Sequence, residues 1–300
     1  MAMTGAPSSA GAGTGSSAAR FEAQYAQYRR QKRIYAGVAG TIFLACFVVS
    51  IATTKFSLWT LLGGVPRATE FLARMLPPLN LNSFSKDFSA WYWNAGDWFN
   101  SLLNTLLMAY LATIFGTLIG GAISFFAARN LAQNFAVYWI ARRILEIART
   151  VPDIVWALLF VFAFGIGPVA GILAITMHTL GAQGKLFAEV NENISPLPID
   201  GLRSAGGNWF HEMRFGVLPQ VLPNYLSYTF WRIELNVRSA TIVGFVGAGG
   251  IGHDLFTAVQ LLYFADVGAI LLIIVATIMA IDMMSEKIRH SAIGKASFSH

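Results

Sequence analysis

Three ionisable side chains, Arg232, Glu234 and Arg238, lie in or at the edge of a long, largely apolar run at 217–240. A charge inside a membrane span is costly unless it is paired or faces a wet cavity. Glu234 and Arg238 stand four apart with the acid first, the favourable order on one helical face, and read as a structural ion pair. Arg232 shares a different stripe with Tyr225, Tyr228 and Asn236, at spacings of three and four. A guanidinium is a permanently charged fork of donors suited to acidic groups. One reading therefore has Arg232, helped by Tyr228 and Asn236, lining a passage for an acidic solute. The other pairs Arg232 with Asp153 or Glu146, or packs it as a gate element. Arg142–Glu146 and Arg149–Asp153 also have the four-residue spacing, the second across Pro152, which should start or kink a span. His178 reads as a hydrogen-bonded packing residue.

A second group of candidates forms a polar island, Asp200 to Pro223, between apolar runs. Asp200, with Gly201 and Arg203, opens a short helix whose dipole favours an acid at its start. Gly206 and Gly207 permit a sharp change of direction. Trp209 and Phe210 offer the large apolar area that anchors protein interfaces, with Arg203, Glu212 and Arg214 as a polar rim. Pro219 marks the return of the chain into the membrane. Such an island suits docking of a cytoplasmic partner; the competing reading is a loop helix packed only on its own bundle.

Several chemistries are excluded. Gly247-Ala-Gly-Gly-Ile-Gly252 satisfies G-x-G-x-x-G, but that motif binds a dinucleotide only between a strand and a helix, and apolar spans flank it here. Its glycines read instead as close helix approach and non-helical backbone buried in protein. No phosphate-binding G-x-x-x-x-G-K-[ST] occurs, so any ATP and Mg²⁺ belong to another subunit. No metalloprotease or hydrolase signature is present, and no cofactor or metal is expected in this chain. Cys46 is the single cysteine, which rules out an intrachain disulfide.

The elements that hold these residues are apolar helices. Charged residues make up only 12% of the 300 residues and mean hydropathy is +0.56, far from a soluble domain. Six spans are expected near 34–52, 98–126, 150–166, 168–185, 217–240 and 264–285. The third and fourth share the turn Gly165-Ile-Gly-Pro168, and the third is the shortest. Segments 1–33, 127–150, 185–216 and 286–300 hold 15 of the 21 Lys and Arg, which places them and both termini in the cytoplasm. That bias accounts for the pI of about 9.6 without nucleic acid. Residues 1–19 are expected to be disordered, within a basic tail 1–33. Residues 34–97 hold an uncleaved anchor span and an outer loop with an interfacial amphipathic helix near 66–76, after a break at Gly63-Gly64 and Pro66. Residues 98–290 form the main membrane domain, with its cytoplasmic loop at 186–216, and 291–300 a tail. Ala112, Gly116 and Gly120 make a small-residue face for close helix contact. Trp91, Tyr92, Trp93, Trp98 and Phe99 read as interfacial aromatics.

The island resembles the coupling loop of ABC-transporter permeases. Gly206 and Leu218-Pro219 fit that pattern, and Asp200-Gly201-Leu202 stands where the family usually has Glu-Ala-Ala. Ala127-Ala-Arg-Asn130, Arg149-Thr-Val-Pro-Asp-Ile-Val-Trp-Ala157, Gly165-Ile-Gly-Pro-Val-Ala-Gly171, Gly184-Lys-Leu-Phe-Ala-Glu189 and the string 236–252 are similar to the permeases of phosphonate ABC importers. Phe215 replaces an expected Tyr, and methionine-importer permeases share the Gly-Ala-Gly-Gly string. The resemblance covers about 98–290. It implies an all-α, MetI-like (type I) importer fold in the cytoplasmic membrane, working as a pair of copies. It further implies an ABC ATPase pair supplying ATP and Mg²⁺ chemistry, an extracytoplasmic substrate-binding protein and alternating access. Phosphonate, phosphate or phosphite is then the expected cargo. Methionine or another small solute is the alternative within transport, and a membrane sensor with a partner-docking loop the alternative outside it.

Overall fold

The computed structural model describes residues 14–77 and 83–296; the first 13 residues of the tail, residues 78–82 and the last four residues lie outside them. Every regular element among the described residues is helical. The chain divides into two compact units, Met1–Glu70 and Phe71–His300.

The first unit is dominated by α1 (Thr14–Thr54), whose side chains are exposed from Ile34 to the end of the helix. Residues 14–33, expected as part of a disordered tail, are helical. The run from Ala18 to Lys32 is rich in Ala, Glu, Gln and Arg, all strong helix formers, and extends the helix of the apolar segment upstream. Lys55, at φ +50°, ends it. The next helix, α2 (Leu58–Met75), starts earlier than expected and runs through Gly63, Gly64 and Pro66. Helix formers on both sides confine the effect of the proline to one lost backbone bond.

The second unit begins with α3 (Phe84–Trp91) and α4 (Ala95–Ala127), followed by α5 (Phe135–Thr150) and α6 (Asp153–Phe164). The expected third span is the main departure. Pro152 at one end and Gly165 at the other, φ +88°, limit α6 to 12 residues. That is about 18 Å, short of the hydrocarbon thickness. A 90° bend joins α5 to α6. Next come α7 (Pro168–Glu192), α8 (Leu197–Ser204), the single turn α9 (Trp209–His211) and a π-turn (Glu212–Val217) that leads into α10 (Leu218–Val243). A 3₁₀ turn (Gly244–Val246), α11 (Ile251–Gln260) and α12 (Phe264–Ala296) complete the order. By length and composition, α1, α4 and α12 can cross a membrane, and up to five segments can if each bent pair counts as one. The bend between α10 and α11 is 45°. α7 has the length, but Thr, Gly, Gln, His and Lys dilute its apolarity.

α4 and α7 form the axis of this unit because glycines let their backbones meet. A Cβ on Gly116 would lie 2.6 Å from that of Thr179, and one on Gly120 2.6 Å from the Leu180 carbonyl oxygen. The small-residue face of α4 thus serves packing within the chain. Thr113 and Gly116 sit opposite Thr179, Gly120 opposite Gly184, and Ser124 opposite Asn191. Register advances the same way along both helices, so they run parallel. α10 is antiparallel to them, since Asn236 meets Thr113 and Thr179 while Tyr225 meets Ser124 and Asn191.

Candidate functional site

The polar island is built from α8, the turn at 205–208, α9 and the π-turn. Gly206 takes φ +83°, a left-handed value open to glycine at a helix end. The Gly207 N–H then returns to the Leu202 carbonyl at 2.9 Å, and the Asn208 side chain accepts the His211 N–H to start α9. Gly201, Asp200 and Pro219 are exposed. Ile199, Met213 and Val217 are buried together with Leu131, Phe187 and Val221, so the island is fastened to the bundle by an apolar underside. Gln220 adds a clasp, accepting from the Ser195 N–H at 3.1 Å and donating to the Gly216 carbonyl at 2.7 Å.

Two side chains expected at a docking surface face inward instead. Trp209 is half-buried, donates through Nε1 to the Leu131 carbonyl at 2.9 Å and stacks on Phe126 at 5.1 Å. An indole has one donor, and the free carbonyl just beyond the C-terminus of α4 takes it. Glu212 is buried at 7% exposure and is gripped by Arg203 through Nε at 3.1 Å and Nη2 at 3.0 Å. A rim position would leave this carboxylate in water; the π-turn rotates it beneath the guanidinium. The hydrogen bond to Glu212, then its charge, raise the Arg203 pKa above the ordinary arginine value, with Asp200 adding a smaller contribution. The outward apolar surface is Phe210, 63% exposed, together with Leu197 and Phe215. Arg214 is exposed and lies over the Phe215 ring.

The island abuts a polar knot that sequence reasoning missed. Glu192 accepts from the Arg129 N–H at 2.9 Å and from Arg142 Nη2 at 2.7 Å, while Asn130 donates to the Asn191 carbonyl at 2.8 Å. Arg142 therefore pairs with Glu192 rather than Glu146, which pairs with Arg143 at 2.6 Å. The α5–α6 bend also separates Arg149 from Asp153. The Ala127-Ala-Arg-Asn130 block was the visible signal, but its acid lies more than sixty residues away.

Between α4, α7 and α10 runs a buried polar track. Asn236, 1% exposed, donates through Nδ2 to Thr113 Oγ1 at 2.8 Å and Thr179 Oγ1 at 2.9 Å. Arg232, 8% exposed, reaches Thr179 Oγ1 through Nε at 3.4 Å. No salt bridge to Arg232 occurs among the described residues: Asp153 faces His178 at 3.2 Å and acts on the Arg232 charge only from farther off, and Glu146 is engaged as above. Tyr228 stands apart from Asn236, in the wall of a cavity of about 420 Å³ with Glu189, Asn193, Gln220 and Asn224. The structure therefore joins Arg232 and Asn236 but not Tyr228. Further along, the Tyr225 hydroxyl donates to Asn191 Oδ1 at 2.8 Å and lies 3.0 Å from Ser124 Oγ. Glu234 is buried and pairs with Arg238 one turn on.

The glycine string forms the corner between α10 and α11, with no strand before it. Gly247, Gly249 and Gly250 all have positive φ, and a Cβ on Gly252 would collide with the Thr241 carbonyl. The Ile251 N–H is taken by Thr105 Oγ1 at 2.9 Å, and the Gly247 carbonyl accepts from Gly167 at 2.9 Å. Among the described residues no cluster of His, Cys, Asp and Glu is arranged to hold a metal.

Comparison with known proteins fits this architecture. Residues 120–285 match the family described as binding-protein-dependent transport system inner membrane component. The chain is 34% identical over 260 residues to the phosphite transport system permease protein PtxC of Stutzerimonas stutzeri, covering 87% of this chain and 89% of that protein. It is 33% identical over 253 residues to the phosphate-import permease protein PhnE of Mycolicibacterium smegmatis, covering 84% of this chain and 45% of that protein. Its fold is similar to that in the inward-facing MetNI methionine ABC transporter, with a TM-score of 0.56 at 21% identity, over 65% of this chain and 95% of that one. The family model matches more than half of the chain and the phosphite permease is alike over nearly the full length of both proteins, so the chain belongs to the family of binding-protein-dependent transport system inner membrane components.

Proposed function

We propose that this chain is the permease of an ATP-driven importer for a phosphorus oxyanion: phosphonate, phosphate or phosphite. The observation that carries this reading is near-full-length similarity to permeases named for phosphite transport, against 22% identity to a D-methionine permease. Arg232 is buried and forms no salt bridge among the described residues, and Asp153 lies near enough to act on its charge; a guanidinium held this loosely is consistent with an acidic cargo. Methionine, and a membrane sensor, are the weaker readings.

In this proposal two copies frame the pathway, with both termini in the cytoplasm. An extracytoplasmic binding protein delivers cargo, and an ABC ATPase pair binds ATP and Mg²⁺. The island carries the coupling surface. Asp200, Gly201 and Arg203 present the first helix; Gly206 and Gly207 turn the chain; Phe210 offers the apolar contact; and Pro219 starts the return. Trp209 and Glu212 act from beneath, holding that surface in place. ATP binding draws the ATPases together, the two islands follow, and the cavity opens outward.

The test is ATPase activity of the whole complex in lipid, with the binding protein present and ligands added singly. Stimulation by an alkylphosphonate, phosphate or phosphite, with methionine inert, is expected. Stimulation by methionine alone overturns the cargo, and failure of any ATPase to co-purify overturns the importer reading.

A further inference from the structure

Two side chains in the buried track have polar atoms that nothing answers. Gln183 is 1% exposed and its Nε2 has no hydrogen-bond partner among the described residues; the buried Oγ1 of Thr117 has none among them either. Buried polar atoms in native proteins nearly always have a partner, and an exception needs a reason.

Their position supplies one. Thr113 on α4, Thr179 on α7 and Asn236 on α10 meet at one level of the bundle. Ser124, Asn191 and Tyr225 meet at another, nearer the island. One turn from the first level toward the second, about 6 Å along each axis, the three helices present Thr117, Gln183 and Arg232. Each is four residues from its counterpart at the first level and so on the same helix face. Arg232 is buried; its one long hydrogen bond reaches back to Thr179 at the first level, and it forms no salt bridge among the described residues, with Asp153 acting on its charge from farther off. Asn236 cannot serve this level, because its amide already bonds Thr113 and Thr179, and Tyr228 belongs to another cavity.

We propose that Thr117, Gln183 and Arg232 form an oxyanion-binding site inside the subunit. It would take the phosphorus–oxygen headgroup of the cargo during passage. A guanidinium fork, a primary amide N–H and a hydroxyl donate to one acceptor-rich group, and charge-assisted bonds of this kind are the strong ones. The amide makes Gln183 a selectivity residue: it rewards acceptor oxygens and gives nothing to the methyl-thioether side chain of methionine. This inference rests on the phosphorus-oxyanion reading above.

The test uses the full importer in liposomes, with uptake of labelled phosphate, phosphite and methylphosphonate followed separately. Loss of one bond to a charged group corresponds to a drop of about tenfold, expected for both Gln183→Leu and Thr117→Val. Replacing an unanswered amide by an apolar group of similar size is close to neutral for folding, so co-purification of the complex should persist. Gln183→Glu places a carboxylate beside Arg232, keeps the assembly and abolishes uptake of all three anions. Wild-type uptake by Gln183→Leu and Thr117→Val overturns the site, and means that an internal water fills these valences. If wild type imports none of the three anions, the cargo reading fails instead. The same variants are then read on the solute it does import, where unchanged rates overturn the site as well.

Discussion

Trp209 and Phe210 are adjacent and similar in size, yet the structure gives them opposite roles. Sequence alone placed both at a docking surface, because large aromatics in a polar loop are what an interface uses. It could not show that the Leu131 carbonyl, 78 residues away, stands free at the end of α4 and takes the indole N–H. Substitution should separate the two. Phe210→Ala removes exposed area from the docking face, so co-purifying ATPase should fall severalfold while the permease remains stable. Trp209→Phe keeps the ring stack on Phe126 but loses one hydrogen bond, about 1 kcal/mol. ATPase should still co-purify, with stimulation by cargo reduced. Equal loss of ATPase binding in both variants would return Trp209 to the interface. Glu212 carries the same lesson, since a carboxylate two residues past an aromatic pair gives no sign in sequence that a π-turn will bury it.

At the scale of elements, legibility followed periodicity. Long apolar runs marked α1, α4, α10 and α12, and the Gly165–Pro168 turn marked the start of α7. The third expected span, 150–166, holds a helix shorter than the apolar run, because a proline and a glycine, not apolarity, set its ends. Pro152 and Gly165 cut it to 12 residues, and the preceding charged helix α5 turns 90° into it. The helix contacts were partly readable, since Ala112, Gly116 and Gly120 advertised a close face without naming α7 as its partner. That face makes a strong prediction. Gly120→Ala would set a methyl 2.6 Å from the Leu180 carbonyl oxygen, and overpacking of this kind costs about 1–3 kcal/mol. Thermal unfolding of the purified permease in detergent should show a clear fall. Gly201→Ala, where the added methyl meets open space, should leave it within error.

For the whole molecule, the distribution of Lys and Arg was the most informative feature of the sequence, and it leads to a test of sidedness. With Cys46 replaced by Ser, Lys86→Cys should react with an impermeant thiol reagent on intact cells. Ser204→Cys, in the exposed island, should react only after permeabilisation; the reverse pattern would invert the topology. What sequence could not convey is how the parts move together. Because α4 and α7 touch backbone to backbone, neither can bend alone without tearing that seam. The island is fixed by Trp209 just beyond one end of α4, and α4, at 33 residues, is about 50 Å long. The pair therefore works as a lever: a tilt of about 5° imposed at the island swings the far end by about 4 Å over that length. That is wider than a water molecule, so a small pull at one membrane face can part side chains at the other with no hinge along the way.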